Sequence, residues 1–189
     1  MKKLKHDEIL NLRLNIEDSK IVKRHPVKLI LHNIRSLYNV GSLFRTADSA
    51  LLSELIMCGF TPHPPRKEIE KTALGAVDTV PWSYFKNIED AVNKFKSEGW
   101  KIAALELCHK SRPYNSLTQE DFPLCIIAGN ELTGIDDDIL DLCDFALEIP
   151  MYGVKHSLNV SVAAGISVYA AVDAYERNCK NRTVYPANV

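Results

Sequence analysis

Short apolar segments alternate with longer amphipathic segments along most of the chain, and this alternation limits the possible fold more than any other feature. The apolar segments are rich in Ile, Leu, Val and Cys, and each is about the length of one strand. Strands that alternate with helices favour a mainly parallel sheet flanked by helices, because a crossover between parallel strands usually contains a helix. The sequence therefore predicts an α/β fold, with strands over 27–33, 54–59, 100–107, 123–128 and 144–149.

The longer segments between these strands have the apolar spacing of helices. They predict helices over 39–51, 87–97, 135–142 and 158–177. Apolar residues surround nearly the whole first half of the last helix. We therefore expect this helix to be buried, either inside the domain or against a second subunit.

The length of 189 residues suits one domain with a short appendage. We expect a basic helical extension over 1–24, a main domain over 25–180 and a tail over 181–189. Residues 1–28 hold eight Lys and Arg against four Asp and Glu, so this segment is either a solvated helix or a contact for phosphates. Residues 1–20 predict one amphipathic helix, with an apolar side formed by Leu4, Ile9, Leu12 and Ile16.

The segment 61–75 begins with a cluster of prolines, which fix φ and remove hydrogen-bond donors. It predicts a loop of about fifteen residues, a length that is often functional. Its cations, Arg66, Lys67 and Lys71, would suit a lid that faces RNA.

Composition argues against several classes of protein. The net charge of −1 does not suit a protein that coats nucleic acid through bulk electrostatics. The longest apolar run is far too short to span a bilayer and the first residues lack the apolar core of a signal peptide, so we expect a cytoplasmic protein with no membrane partner. The five cysteines are widely separated and predict small buried side chains, and neither Cys nor His has the spacing of zinc ligands, so we expect no metal.

Three segments place polar or glycine residues where a predicted strand ends, which is where open α/β sheets bind ligands. In the first, Asn39 is the predicted N-cap of the next helix, so that free backbone amides would face an anion. Arg45 follows within about two turns and could project beside that anion. The same pattern also fits ordinary helix capping.

The second segment follows the strand over 123–128. Gly129 would permit close approach of a ligand to the backbone, and the carboxylate of Glu131 would enter the same pocket. The segment lacks the G-x-G-x-x-G spacing of a dinucleotide site. The acidic run 136–138 could suggest magnesium, but we favour acidic residues in the first turn of a helix, where the helix dipole stabilises them.

The third segment is a glycine-containing loop after the strand over 144–149, with Ser157 and Asn159 at the head of the last helix. Backbone groups of the loop could hold the edge of an adenine. The two faces of that adenine would contact Ile149, Met151 and Leu158. His156 could act as a general base, although a single histidine in a loop is more often a bystander.

In order and spacing, these segments resemble the SpoU/TrmH family of the SPOUT methyltransferases. The first motif of that family, an Asn followed by N-x-G-x-x-x-R, is matched by Asn33, Asn39, Gly41 and Arg45. The second motif, G-x-E-x-x-G, is matched by Gly129, Glu131 and Gly134. The third motif, I-P-M-x-G followed by S-L-N-V-S-V-A, is matched without a departure by 149–153 and 157–163. The resemblance extends from about residue 27 to residue 177.

The resemblance implies a SPOUT fold whose C-terminal segment forms a deep trefoil knot. It implies that S-adenosylmethionine binds in this knot and that S-adenosylhomocysteine is the product. It also implies a homodimer that forms through the C-terminal helix and completes the active site. The positions that match cofactor contacts are Gly129, Ile149, Met151 and Leu158. We expect Glu106 and Leu107, at the end of the strand over 100–107, to join them.

The resemblance also implies methyl transfer to a ribose 2′-hydroxyl of RNA. In similar enzymes the arginine that matches Arg45 is assigned to activating the hydroxyl, and the residues around it match Asn39, Glu131, Ser157 and Asn159. An arginine pKa above about 12 opposes proton removal by Arg45 in water. We favour Arg45 as a phosphate anchor whose charge lowers the pKa of the hydroxyl, and proton removal by Arg45 stays open.

Transfer RNA is the expected substrate, and ribosomal RNA is the alternative. A dimeric RNA-binding protein that has the fold but no activity is a second hypothesis. It is disfavoured because Arg45, Glu131, Ser157 and Asn159 are all present. A nucleotide-binding oxidoreductase is a weaker third hypothesis, because the glycine fingerprint is absent.

Overall fold

A parallel sheet of seven strands organises the molecule, whose computed structural model describes residues 2–178. The strands are β1 (His25–His32), β2 (Leu52–Cys58), β3 (Trp82–Phe85), β4 (Lys101–Leu105), β5 (Arg112–Pro113), β6 (Leu124–Ala128) and β7 (Phe145–Glu148). Their order in the sheet is β3-β2-β1-β6-β4-β7-β5, and every neighbouring pair is parallel. The predicted α/β class is confirmed, and the knot stays a prediction.

Helices cover both faces of the sheet. They are α1 (His6–Asn11), α2 (Ile16–Ile21), α3 (Leu37–Ser49), α4 (Lys67–Ala73), α5 (Ile88–Ser97), α6 (Asp137–Leu140) and α7 (Val160–Asn178). The buried residues of α3, α4 and α7 share one core with one face of the sheet, and those of α5 and α6 share a second core with the other face. No helix among residues 2–178 is long and apolar enough to cross a membrane.

Strand β1 lies in the interior of the sheet, and its burial on both faces accounts for its continuous run of apolar residues. Leu29 and Leu31 point into the core under α3 and α7, whereas Ile30 points into the core under α5, and all three are fully buried. A parallel strand covered on both faces needs apolar residues at successive positions, not only at alternate ones. The continuous apolar run in β1 meets that requirement.

One charged residue, Lys28, is buried beside this core. Its ammonium lies 2.8 Å from Glu54 Oε2, 3.9 Å from the ring centroid of Phe95 and 4.7 Å from that of Trp100. A buried charge is costly unless it is paired, and the carboxylate and the two rings provide that pairing.

Two cysteines on the α5 side of the sheet behave as buried apolar side chains, as the sequence predicted. Burial raises the pKa of Cys58 to about 12 and raises the pKa of Cys125 well above its ordinary value. Both thiols therefore stay protonated at neutral pH. Cys108 and Cys143 are half-buried, and Cys179 lies outside the described residues.

The segment predicted as the loop 61–75 contains the helix α4, so that prediction was wrong for its second half. The prolines end at Pro65, and Ile69 and Ala73 then follow at helical spacing, both buried against α3. The strands β3 and β5 were not predicted, because they are four and two residues long and alternate or lack apolar residues.

The N-terminal segment also differs from its prediction. Residues 1–20 were expected to form one helix, but α1 ends at Asn11 and α2 begins at Ile16. The side chain of Asn15 accepts a hydrogen bond from the backbone N–H of Asp18 and so starts a new helix instead of continuing the first. The predicted tail over 181–189 lies outside the described residues.

Replacing Phe95 with Ala should destabilise the fold by about 3–5 kcal/mol, because it leaves a cavity and removes a ring beside the Lys28 ammonium. Urea unfolding followed by circular dichroism would measure the loss. The control Asn93→Ala, at an exposed position of the same helix, should change stability by less than about 0.5 kcal/mol. Similar midpoints for both variants would contradict this account of the core.

Candidate active site

The carboxyl ends of the parallel strands meet at one edge of the sheet, and an open cavity of about 390 Å³ lies there. Residues at the ends of β4, β6 and β7 line the cavity together with residues from 156–163. A volume of this size falls within the range of pockets that hold small molecules.

The sequence motifs converge on this cavity. All six residues predicted to contact a cofactor line it, namely Glu106, Leu107, Gly129, Ile149, Met151 and Leu158. Glu131 and Ser157, two of the five predicted catalytic residues, line it as well, and so does His156. Segments that are far apart in sequence therefore surround one space.

A chain of hydrogen-bonded side chains connects predicted catalytic residues beside the cavity. Asn39 Nδ2 donates to Glu131 Oε1 at 3.2 Å, and Asn159 Nδ2 donates to Asn39 Oδ1 at 3.3 Å. Asn159 Oδ1 then accepts from the backbone N–H and the hydroxyl of Ser161, in the first turn of α7. Because an ionised carboxylate can only accept, Glu131 fixes the orientation of both amides.

The second oxygen of Glu131 is also used. Its Oε2 accepts a hydrogen bond from the backbone N–H of Arg35 at 3.2 Å, just before α3 begins. One carboxylate thus holds both the entry to α3 and the Asn39 side chain within that helix.

The structure corrects the predicted position of Asn39 in its helix. The N-cap of α3 is Ser36, whose hydroxyl accepts a hydrogen bond from the Asn39 N–H at 3.2 Å. Asn39 is the third residue of the helix, so its prediction as the N-cap was wrong. Ser and Asn are both favoured N-caps, and the sequence alone did not decide between Ser36 and Asn39. Because Ser36 caps the helix, the Asn39 amide is free to bind Glu131.

Arg45 does not line the cavity. It is exposed on α3, six residues after Asn39, which corresponds to about 9 Å along the helix axis. Within residues 2–178, its guanidinium has no hydrogen-bond or ion-pair partner. A single chain therefore does not bring Arg45 into the hydrogen-bonded group of Glu131, Asn39 and Asn159.

The loop between Gly129 and Ile135 packs against Glu106, which follows β4. Glu106 accepts hydrogen bonds from the backbone N–H groups of Leu107 at 3.0 Å and Ile135 at 3.1 Å. Gly134 has a φ of 72°, and a Cβ there would overlap Glu106 Oε2. A Cβ on Gly129 would meet Ile135 at 2.6 Å. We expected Gly129 to let a ligand approach its backbone. Gly129 does line the cavity, but atoms of Gly134 and Ile135 fill the space where its Cβ would lie.

Sequence reasoning missed Asn130. Its Nδ2 donates to the carbonyl oxygen of Asn33 at 2.7 Å, and its Oδ1 accepts from the N–H groups of Leu132 and Thr133. Asn33 itself has a φ of 56°, a conformation that Asn tolerates better than most residues. The available signal was an amide side chain two residues after a strand, in a glycine-containing turn of the kind that Asn commonly stabilises.

The charges around the site favour neither a thiolate nor a metal. Burial raises the pKa of Cys108, and the carboxylates of Glu106 and Glu148 raise it further, so this thiol is a poor nucleophile. Asp137 and Asp138 lie in the first turn of α6, as the helix-dipole interpretation predicted. Within the described range 2–178, no group of three or more His, Cys, Asp or Glu side chains could hold a metal ion.

A parallel sheet with a cavity beyond its carboxyl edge defines the class of α/β proteins that bind a ligand at the strand ends. Within that class, residues 26–169 match the family model described as the SpoU rRNA Methylase family. The chain therefore belongs to the SpoU methylase family.

A protein of Staphylococcus epidermidis, whose name places it in the TrmH family of tRNA/rRNA methyltransferases, is 31% identical to the chain over 162 residues. The match covers 86% of this chain and 64% of the relative, so the chain spans less than two-thirds of that protein.

Two crystal structures share the fold. The A. aeolicus TrmH/SpoU tRNA modifying enzyme is 27% identical and has a TM-score of 0.76, with 86% of this chain and 83% of that chain covered. The AdoMet-bound rRNA methyltransferase from Sinorhizobium meliloti is 26% identical and has a TM-score of 0.73, with 81% and 59% covered.

Replacing Asn39 with Asp should make the stability of the protein depend on pH. The new carboxylate would lie about 3.2 Å from Glu131 Oε1, and their repulsion would raise the pKa of the pair in the folded protein. A carboxyl pKa raised by folding disfavours the folded state when the group is ionised. The melting temperature should therefore be depressed near about pH 8 and recover as the pH falls toward about 5.

Thermal melts across this pH range would measure the effect against wild type. The control Asn39→Ala loses the same hydrogen bonds but adds no charge, so its melting temperature should track that of wild type at a constant offset. Parallel pH profiles for the Asp and Ala variants would contradict the predicted repulsion.

Proposed function

We propose that the protein is an S-adenosylmethionine-dependent RNA methyltransferase that modifies a ribose 2′-hydroxyl, with transfer RNA as the favoured substrate. One observation carries the proposal: the six residues predicted to contact the cofactor line one cavity, and the hydrogen-bonded side chains of Glu131, Asn39 and Asn159 lie beside it. The Sinorhizobium meliloti relative, an rRNA methyltransferase with AdoMet bound, supports the choice of cofactor.

The residues around the cavity fit S-adenosylmethionine. Ile149, Met151 and Leu158 supply apolar surface for an adenine. Glu106 lines the cavity, and each of its carboxylate oxygens accepts one hydrogen bond from a backbone N–H. Each oxygen can accept a further hydrogen bond, which would suit the ribose hydroxyl groups of the cofactor. When bound, S-adenosylmethionine supplies an electrophilic methyl group on a sulfonium.

The residues of the protein would align the acceptor hydroxyl with that methyl and help to remove its proton. Glu131, Asn39 and Asn159 have fixed orientations before substrate arrives, so no rearrangement of these groups is needed to form the site. Ser157, in the cavity lining, presents a hydroxyl that can bind the ribose. Arg45 would anchor the adjacent phosphate, and its positive charge would lower the pKa of the 2′-hydroxyl.

The position of Arg45 supports a site shared between two copies of the chain. The residue is exposed and lies outside the cavity of its own chain. The segment before α7 and the first turn of α7 expose apolar side chains, with Tyr152 at 96%, Val154 at 101% and Val162 at 49% exposure. Large apolar side chains that stay this exposed are typical of an interface. A homodimer through α7 would cover this surface and could bring Arg45 to the cavity of the partner.

Transfer RNA is favoured over ribosomal RNA because of the relatives. The tRNA modifying enzyme of A. aeolicus matches over most of both chains, whereas the rRNA methyltransferase of Sinorhizobium meliloti extends well beyond the match. Mass spectrometry of ribose methylation in a deletion strain would test this preference. Loss of a 2′-O-methyl group from transfer RNA is expected, and an unchanged set of transfer-RNA ribose methylations would refute the preference.

Replacing Met151 with Glu should weaken S-adenosylmethionine binding by about tenfold or more, because a carboxylate would replace an apolar side chain of the cavity lining. Isothermal titration calorimetry would measure the change. Arg45→Ala serves as the contrasting variant: it should abolish methylation and leave cofactor affinity close to that of wild type. An absence of cofactor binding by wild type would favour the silent RNA-binding alternative.

A hybrid of these two variants tests the shared site. Arg45→Ala and Met151→Glu chains would be co-expressed with different affinity tags, and the hybrid dimer would be purified. If Arg45 serves the partner, the hybrid contains one intact site and should recover about half of the wild-type turnover. Assayed at a cofactor concentration well below the wild-type Kd, the Arg45→Ala homodimer should be inactive and the Met151→Glu homodimer should retain about a tenth of the wild-type turnover or less. A hybrid as inactive as its parents would show that Arg45 serves its own chain.

A further inference from the structure

An exposed aromatic cluster lies at one edge of the sheet, outside the cavity. The ring centroid of His63 lies 4.6 Å from that of Tyr84 and 6.3 Å from that of Trp82. Trp82 and Tyr84 are 37% and 41% exposed, and Phe60, at the start of the same segment as His63, is 60% exposed. We refer to Phe60, His63, Trp82 and Tyr84 as the aromatic patch.

The edge strand β3 holds two rings of the patch on one face. Trp82 pairs with Leu55 and Tyr84 with Met57, so both rings point to the face that α3 and α4 cover. No strand lies beyond β3 in the sheet that residues 2–178 form, which leaves the rings accessible from that side. The Tyr84 hydroxyl donates to the carbonyl oxygen of Gly59 at 2.8 Å and thus ties β3 to the segment that carries the other two rings.

The aromatic patch is structurally continuous with the candidate active site. The backbone N–H of Phe60 donates to Asn33 Oδ1 at 3.2 Å. The carbonyl oxygen of Asn33 accepts from Asn130 Nδ2 at 2.7 Å, and Asn130 lines the cavity. Two hydrogen bonds therefore connect Phe60 to a residue of the cavity.

Charge around the aromatic patch suits a polyanion. The segments 59–67 and 79–88 contain Arg66, Lys67 and Lys86 and no acidic residue, in a chain whose net charge is −1. All three cations are exposed, and none has a carboxylate partner within the described part of the chain. Exposed rings and unpaired cations on the same two segments combine the two features with which proteins hold single-stranded nucleic acid.

We propose that the aromatic patch stacks an unpaired base of the RNA substrate while Arg66, Lys67 and Lys86 contact the neighbouring phosphates. This inference rests on the proposed RNA substrate and adds that the RNA is unpaired where it crosses β3. Ring faces stack on any base that is splayed out of a helix, whereas bases within a duplex are already stacked on one another. The aromatic patch therefore selects a loop, bulge or end over a continuous helix.

The chain contains only two tryptophans, which makes Trp82 a direct probe of stacking. Trp100, the other tryptophan, directly precedes β4 and so lies near the amino end of that strand, away from the carboxyl ends that border the cavity. In the variant Trp100→Phe, a single-stranded oligouridylate of roughly twelve nucleotides should quench the fluorescence of Trp82, and an RNA duplex of equal length should quench it far less. The matched variant Trp82→Phe, which retains Trp100, should show little quenching with either RNA.

Binding measurements with alanine variants provide a second readout. Phe60→Ala and Trp82→Ala should each weaken binding of the oligouridylate by about fivefold or more, since each removes a stacking surface. Both variants should keep wild-type affinity for S-adenosylmethionine, because neither residue lines the cavity. Phe60 is the more exposed of the two, so its replacement should not affect folding.

Equal quenching by single-stranded and duplex RNA, or unchanged RNA affinity in both alanine variants, would overturn the proposal. Trp82 emission that changes with protein concentration in the absence of RNA would also overturn it, because a second copy of the chain would then occupy the aromatic patch. These measurements need no methyl transfer. If the RNA were bound but not methylated at a ribose, the proposed reaction would fail while the stacking result would stand.

Discussion

The carboxylate of Glu131 is the group on which the rest of the candidate site depends. One of its oxygens accepts a hydrogen bond from the backbone just before α3, and the other accepts one from the side chain of Asn39 within α3. Asn39 in turn accepts a hydrogen bond from the side-chain amide of Asn159. Because the carboxylate can accept but not donate, the hydrogen bonds in this series of side chains can run in only one direction. Each amide therefore has only one orientation that satisfies its neighbours. The three segments therefore meet in one defined geometry, and the cavity beside them has a fixed wall.

The central part of the fold follows from the sequence because its signal is strong. In β1 and β6, burial on both faces demands an uninterrupted apolar run, which is easy to recognise. The edge strands give no such signal: β3 alternates exposed and half-buried residues, and β5 is two residues long. In the segment 61–75 the prolines dominated the pattern, although they lie only in the part before α4, which begins at Lys67.

The site divides in the same way. Residues that line the cavity stand directly after strands, so the parallel topology alone brings Glu106, Gly129 and Ile149 to one edge. The helix cap depended on a choice between two good capping residues, Ser36 and Asn39, which only the three-dimensional contacts with Glu131 decide. Arg45 differs from these residues, because it lies outside the cavity of its own chain and only the sequence motif assigns it to the site.

Asn39 donates a hydrogen bond to Glu131, 92 residues away in sequence, and accepts one from Asn159, 120 residues away. Chains are synthesised from the N-terminus, and contacts between distant residues form only after both partners have emerged. On the ribosome, β1, β2, β3, β4 and β6 can pair while α7 has yet to cover the sheet and Asn39 still lacks its partner in the segment before α7. The nascent protein would thus pass through a period in which most of its strands are paired and its site is still incomplete.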